Sequence, residues 1–121
     1  VRKLRSAYTG DCMRVRRNTD NAEQDIGFSG EDIDVSALNT FGGSNKLYVT
    51  TWYDQSGNGY NAVQTSTGLQ PLIYSNGIVQ DANGNNAIRT TEVGDTGTQG
   101  GNKFLYSKTT TYIITRWTIY C

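Results

Sequence analysis

The sequence contains no histidine, one proline, one methionine and two cysteines. Without histidine, and with Cys12 and Cys121 far apart, the usual zinc sites are excluded. Only six leucines occur in the chain, which argues against a helical bundle. No apolar run approaches the length of a membrane span, so no membrane insertion is expected. Val1-Arg2-Lys3-Leu4 opens the chain without a signal-peptide pattern. No internal repeat of solenoid length is present. The net charge is zero, which argues against a dedicated nucleic-acid binder.

What remains is suited to β structure. The 121 residues suffice for one domain with a modest core. Fourteen glycines beside a single proline fit many tight turns between short strands. Tyr, Thr, Val and Ile are plentiful, as strands prefer. Charge is uneven: residues 1–17 carry six basic side chains against Asp11, and residues 18–45 carry six acids and no base. The two blocks are expected to pair across neighbouring strands or subunits; the other reading is an anion-binding surface. Arg14 and Arg16 fall on one strand face and Arg17 on the other. Cys12 and Cys121 could close nearly the whole chain with a bridge worth about 4–5 kcal/mol in the chain-entropy model. Two thiols alone leave their pairing open.

Periodicity and turn chemistry divide the chain into short strands. Cys12 to Arg17, Asp25 to Phe28 and Leu47 to Tyr53 are predicted strands. Asn61 to Gln64, Pro71 to Tyr74, Gly77 to Val79 and Ala87 to Thr90 follow. Phe104 to Tyr106 and Thr111 to Tyr120 end the series. Ser75-Asn76-Gly77 and Asn83-Gly84-Asn85 are tight-turn sequences. One helix is predicted near 34–41: Asp34 caps it, Val35, Leu38 and Phe41 share a face, and Gly42 supplies the left-handed stop. Thr91 to Asn102 is a Gly/Thr/Asp-rich loop. Such spacing gives an all-β fold, an antiparallel sandwich or jelly roll.

The richest segment is Val49 to Gln64, with Trp52-Tyr53-Asp54-Gln55-Ser56-Gly57-Asn58-Gly59-Tyr60 at its tip. Trp52, Tyr53 and Tyr60 are candidates to stack on sugar rings, with Asp54, Gln55 and Asn58 as hydroxyl partners. Alternation puts Trp52 and Tyr53 on opposite strand faces, so at least one is expected in the core. Asp54 to Gly59 also begins like a calcium loop, but Thr65 stands where the bidentate acid belongs. Asp81 to Asn86 begins similarly and reaches Glu92, but lacks the turn glycine. A hairpin turn held by Asp and Asn side chains is the simpler expectation. Neither metal nor other cofactor is expected. A glycosidase needs two carboxyls about 5–9.5 Å apart. Asp54, Asp81, Glu92 and Asp95 are available, and no spacing singles out a pair.

The ordered series Val1–Gly10, Arg14–Arg17, Asp20–Phe28, the helix and Trp52–Gly59 resembles the start of the concanavalin A-like sandwich of arabinofuranosidase B-type glycosidases. Related modules occur in phage tail, capsid-decoration and bacterial surface proteins. The resemblance covers about residues 1–90, and residues 91–121 match no pattern in it. It implies a jelly-roll sandwich, complete or partial, with residues 1–121 as one domain or a fragment of one. In the family the sandwich is usually longer, and the catalytic carboxylates lie further along than this chain extends. The resemblance therefore assigns no catalytic residue here.

The leading functional expectation is a non-enzymatic structural or adhesive module of a phage particle or bacterial surface. Glycan binding at Trp52, Tyr53, Asp54, Gln55, Asn58 and Tyr60 is its candidate activity. Extracellular or virion-surface placement follows. So does self-association, or assembly with other structural subunits, because sandwich edges need covering. The competing expectation is a fragment of an arabinofuranosidase-like hydrolase without its catalytic carboxylates.

Overall fold

A computed structural model describes residues 3–79 and the backbone of short strands at 81–82, 85–86 and 106–107. The class is as expected: an all-β, antiparallel sandwich type with one short helix. In order, the elements are β1 (Met13–Arg17), β2 (Glu23–Ile26), β3 (Phe28–Ser29), β4 (Asp32–Ile33), α1 (Val35–Gly42) and β5 (Lys46–Trp52). Then come β6 (Ala62–Val63), a 3-10 turn (Thr67–Leu69), β7 (Leu72–Ser75), β8 (Ile78–Val79), β9 (Asp81–Ala82), β10 (Asn85–Asn86) and β11 (Tyr106–Ser107).

Among the described residues, seven strands form one sheet around β5. On one side β5 pairs with β1, and β1 pairs with β2. On the other side the first half of β5 meets β7 and the second half meets β6. This shared edge leaves the far end of β5 next to only a two-residue strand. Between β1 and β5 the register slips at Thr50: Arg14 faces Thr51, but Val15 faces Val49. The Thr50 hydroxyl donates to the Arg14 carbonyl at 3.2 Å across this bulge.

Alternation along β1 and β5 sends Met13, Val15, Leu47 and Val49 to one face, where all four are buried. Helix α1 closes over this face with Leu38, and Ile26, Ile33, Ile73 and Tyr74 complete the core. The helix begins as expected, with the Asp34 carboxylate accepting from the Ala37 amide at 3.0 Å. Its stop is one residue later than predicted. Gly43, not Gly42, takes the positive φ of 56°. Gly42 stays helical and buried, because a side chain there would run into the ring of Tyr74. Tyr74 is fixed in turn by donating to the Gly43 carbonyl at 2.6 Å.

The predicted strand from Asp25 to Phe28 divides at Gly27. Its first part pairs with β1, and Phe28–Ser29 turns away to pair with β4. The Ser75–Gly77 turn forms as predicted, with Asn76 and Gly77 at φ 46° and 83° and Ser75 facing Ile78. Around the second predicted turn, Ala82 faces Asn85, while residues 83 and 84 lie outside the described residues. The strands predicted at 87–90 and 111–120, the loop at 91–102 and Cys121 also lie outside them. Cys12 is buried in the core. Among the described residues no helix is long and apolar enough to cross a membrane.

Candidate functional site

Strand β5 ends at Trp52, which sits opposite Met13 on one side and Ala62 on the other. The chain then leaves the sheet under tight control. The Tyr53 amide donates to the Cys12 carbonyl at 3.1 Å, and the Asp54 amide donates to Asn61 Oδ1 at 2.9 Å. Beyond this, the loop closes on one carboxylate. Asp54 accepts from the Ser56 amide at 2.8 Å, the Ser56 hydroxyl at 2.5 Å and the Tyr60 amide at 3.1 Å. Gly57 and Gly59 provide the positive φ values, 88° and 74°, that let the turn fold back. The Asn58 amide donates to Ser56 Oγ at 3.2 Å.

These bonds hold the Asp54 carboxyl below the usual carboxylate range, first through the Ser56 hydroxyl and then through backbone amides. A general acid needs the opposite shift. Asp54 is thus the hub of a turn, as the simpler reading expects. No group of three or more metal-ligating side chains occurs among the described residues.

Tyr53 points elsewhere. Its hydroxyl donates to Asp25 Oδ1 at 2.6 Å. Partial burial, and then that acceptor, push its phenol up to about 12. The other Asp25 oxygen accepts from Arg14 at 3.0 Å, and Arg14 also pairs with Glu23 at 2.8 Å. Arg17 pairs with Asp20 at 2.6 Å and stacks over the Phe41 ring. The basic and acidic blocks therefore do pair across β1 and β2, within one chain. Arg16 departs from that expectation. It is 8% exposed and donates to neutral amides, Gln70 Oε1 at 2.7 Å and Asn21 Oδ1 at 2.9 Å, beneath the ring of Tyr48.

At the tip lies an open cleft of about 190 Å³. Trp52, Tyr53, Asp54, Gln55 and Tyr60 line it, so five of the six predicted glycan-binding residues meet there. Asn58 does not line it. Trp52 is half-buried and packs against the core, as its alternation requires, while Tyr60 is 53% exposed. Gln55 is buried and accepts from the Leu4 amide at 2.7 Å. Asp54 and Gln55 thus organise the cleft through the bonds they already make. Two lining residues, Leu4 and Ala62, were not predicted. Leu4 is remote in sequence and carries no local signal. Ala62 is legible only after the pairing of β5 with β6 is known.

Residues 1–111 match the family described as "Alpha-L-arabinofuranosidase B, catalytic". The chain belongs to this arabinofuranosidase family. The match reaches past residue 90 into the stretch that resembled nothing recognisable. Solved structures similar to the chain include a GH54 α-L-arabinofuranosidase soaked with a cyclic sulfate inhibitor and an arabinofuranosidase complexed with arabinofuranosyl-α-1,2-xylobiose. Each is 31% identical, with a TM-score of 0.49, and the similarity covers 63% of this chain. The chain spans 16% of the length of those arabinofuranosidases. No curated protein matches it.

Family membership overturns two expectations. The chain is not a non-enzymatic structural or adhesive module of a phage or bacterial surface, and the view that it is no part of an enzyme falls as well. Those expectations rested on the resemblance to surface modules, on catalytic carboxylates lying beyond this chain and on a Gly/Thr/Tyr-rich composition. A segment of an arabinofuranosidase sandwich has all three properties, so they could not separate the two classes. The virion role falls with them.

Proposed function

We propose that this chain is part of the catalytic domain of a glycoside hydrolase that removes α-L-arabinofuranosyl residues from glycans. The single observation that carries the reading is the family match over residues 1–111. Within that domain, the described residues act as sandwich scaffold, and the Trp52–Tyr60 cleft receives a sugar residue. Tyr60 offers its exposed ring for stacking, and the Asp54 hub keeps the turn in shape. Neither Asp54 nor Asp25 serves as acid or base in this reading, since both carboxylates are already engaged by strong donors.

The test is hydrolysis of 4-nitrophenyl α-L-arabinofuranoside by the protein that carries this segment, run against the corresponding β-D-xylopyranoside. Nitrophenol release from the arabinofuranoside is expected. Release from the xyloside alone reassigns the substrate, and release from neither overturns the proposal.

A further inference from the structure

The residues before β1 tie distant parts of the chain together. The Lys3 amide donates to the Glu31 carbonyl. One residue on, the Leu4 amide donates to Gln55 Oε1 at 2.7 Å, and Gln55 is 6% exposed. Arg5 then donates to the Ser56 carbonyl at 2.7 Å and, more weakly, to the Gln55 carbonyl at 3.4 Å. Three consecutive residues are thus anchored to segments far away in sequence. Yet the Leu4 side chain between these anchors is 64% exposed. One exposed leucine is ordinary. A leucine whose backbone is latched by a buried glutamine, and which shares a cleft with an exposed tyrosine, has a defined place and little to do there for folding.

We propose that Leu4 is a sugar-contact residue, with Gln55 and Arg5 as the positioning residues that present it. The inference rests on the reading of the Trp52–Tyr60 cleft as a sugar site. At about 190 Å³ the cleft falls below the roughly 300–1,000 Å³ of sites for drug-sized ligands. It suits one sugar ring and not an oligosaccharide. With the carboxylate of Asp54 and the carbonyl oxygen of the Gln55 side chain engaged, the contacts offered are mainly apolar, from Leu4, Trp52, Ala62 and the face of Tyr60. The C–H faces of an arabinofuranosyl ring match such surfaces, and its hydroxyls stay towards solvent. The occupant is therefore one arabinofuranosyl residue, held by shape and stacking, with no charge involved.

The experiment titrates the protein with methyl α-L-arabinofuranoside and reads the dissociation constant by NMR. Leu4→Ala weakens binding about fivefold, and Leu4→Ile, which keeps the apolar bulk, stays within about twofold of the parent. Gln55→Leu weakens binding as Leu4→Ala does. The double variant loses little more than either single one, because both act through the same wall. Melting temperatures of the Leu4 variants match the parent, since the side chain is exposed. If Leu4→Ala binds like the parent while Tyr60→Ala loses the sugar, the role of Leu4 is overturned and the cleft reading stands. If the parent cleaves the aryl arabinofuranoside but its tip resonances ignore the sugar, the cleft is not a sugar site and this inference fails with it. If the parent neither binds nor cleaves, the functional proposal itself has failed.

Discussion

The two ends of strand β5 live in different environments. At its start, Leu47 and Val49 are fully buried beneath α1 and beside Tyr74, flanked by β1 and β7. At its end, Thr51 and Trp52 keep β1 on one side but meet only the two-residue β6 on the other, and the chain opens into the cleft at Tyr60. One strand thus passes from a closed core to a partly solvated aromatic rim within seven residues. The closed end is held mainly by burial, with the Tyr74 hydroxyl fixed on the Gly43 carbonyl. The open end is held by backbone amides donating to the side chains of Asp54, Gln55 and Asn61, beside a half-buried Trp52. Substitutions at the first should move stability, and substitutions at the second should move ligand binding.

The largest expected effect tests the closed end. Leu38 is fully buried where α1 covers the sheet. Leu38→Ala should lower unfolding free energy by about 2–5 kcal/mol through lost burial and a residual cavity. Urea denaturation measures this. A loss below 1 kcal/mol would mean that the helix does not clamp that end. Next comes Gly42→Ala. Its new methyl would overlap the ring of Tyr74, which cannot retreat while its hydroxyl holds the Gly43 carbonyl. About 1–3 kcal/mol of overpacking cost is expected. Adding Tyr74→Phe to free the ring should recover part of it.

The same division explains what was legible in the sequence. Period-two alternation marked Cys12 to Arg17 as a strand, and the structure buries Met13 and Val15 there, because a half-buried strand writes its burial into every second residue. The cap at Asp34 and the turn at Asn76-Gly77 were readable for the same reason: their chemistry is local. Three features were not. Gly42 looked like a helix stop, because its real constraint, the approach of Tyr74, comes from a strand 32 residues on. Arg16 looked like a partner for the acidic block, but the fold brings Gln70 to it instead. Leu4 entered the cleft through the Gln55 amide, a contact with no sequence period. At the tip, residue types revealed an aromatic, polar turn but not how its atoms were committed. Asp54 looked available for ligands and is the turn's own acceptor.

Tyr60→Ala should sharpen the contrast from the other end. The ring is 53% exposed, so unfolding free energy should change by no more than about 0.5 kcal/mol. Methyl α-L-arabinofuranoside binding should fall about tenfold through the lost stacking. Equilibrium unfolding and an NMR titration on the same sample measure both. A large stability loss with no change in binding would erase the distinction between the two ends.

The smallest effect concerns the join between the open end and the charged edge of the sheet. Tyr53 leaves β5 at the rim but ties its hydroxyl to Asp25 on β2, which Arg14 also holds. The phenol is raised from an ordinary 10.0 to about 12 in the folded protein. A raised folded value means that the protonated form is favoured by folding. Its contribution is therefore complete below pH 10 and disappears as pH rises through about 12. Tyr53→Phe should be modestly less stable than the parent at pH 8, and the difference should vanish near pH 12. Subtracting the ultraviolet titration of Tyr53→Phe from that of the parent isolates one phenolate among the eight tyrosines. A midpoint near 10 in that difference would mean that the hydroxyl is not held by Asp25. The rim would then be fastened only through the Asp54 turn and the Cys12 carbonyl, and the open end of β5 would be looser than its hydrogen bonds indicate.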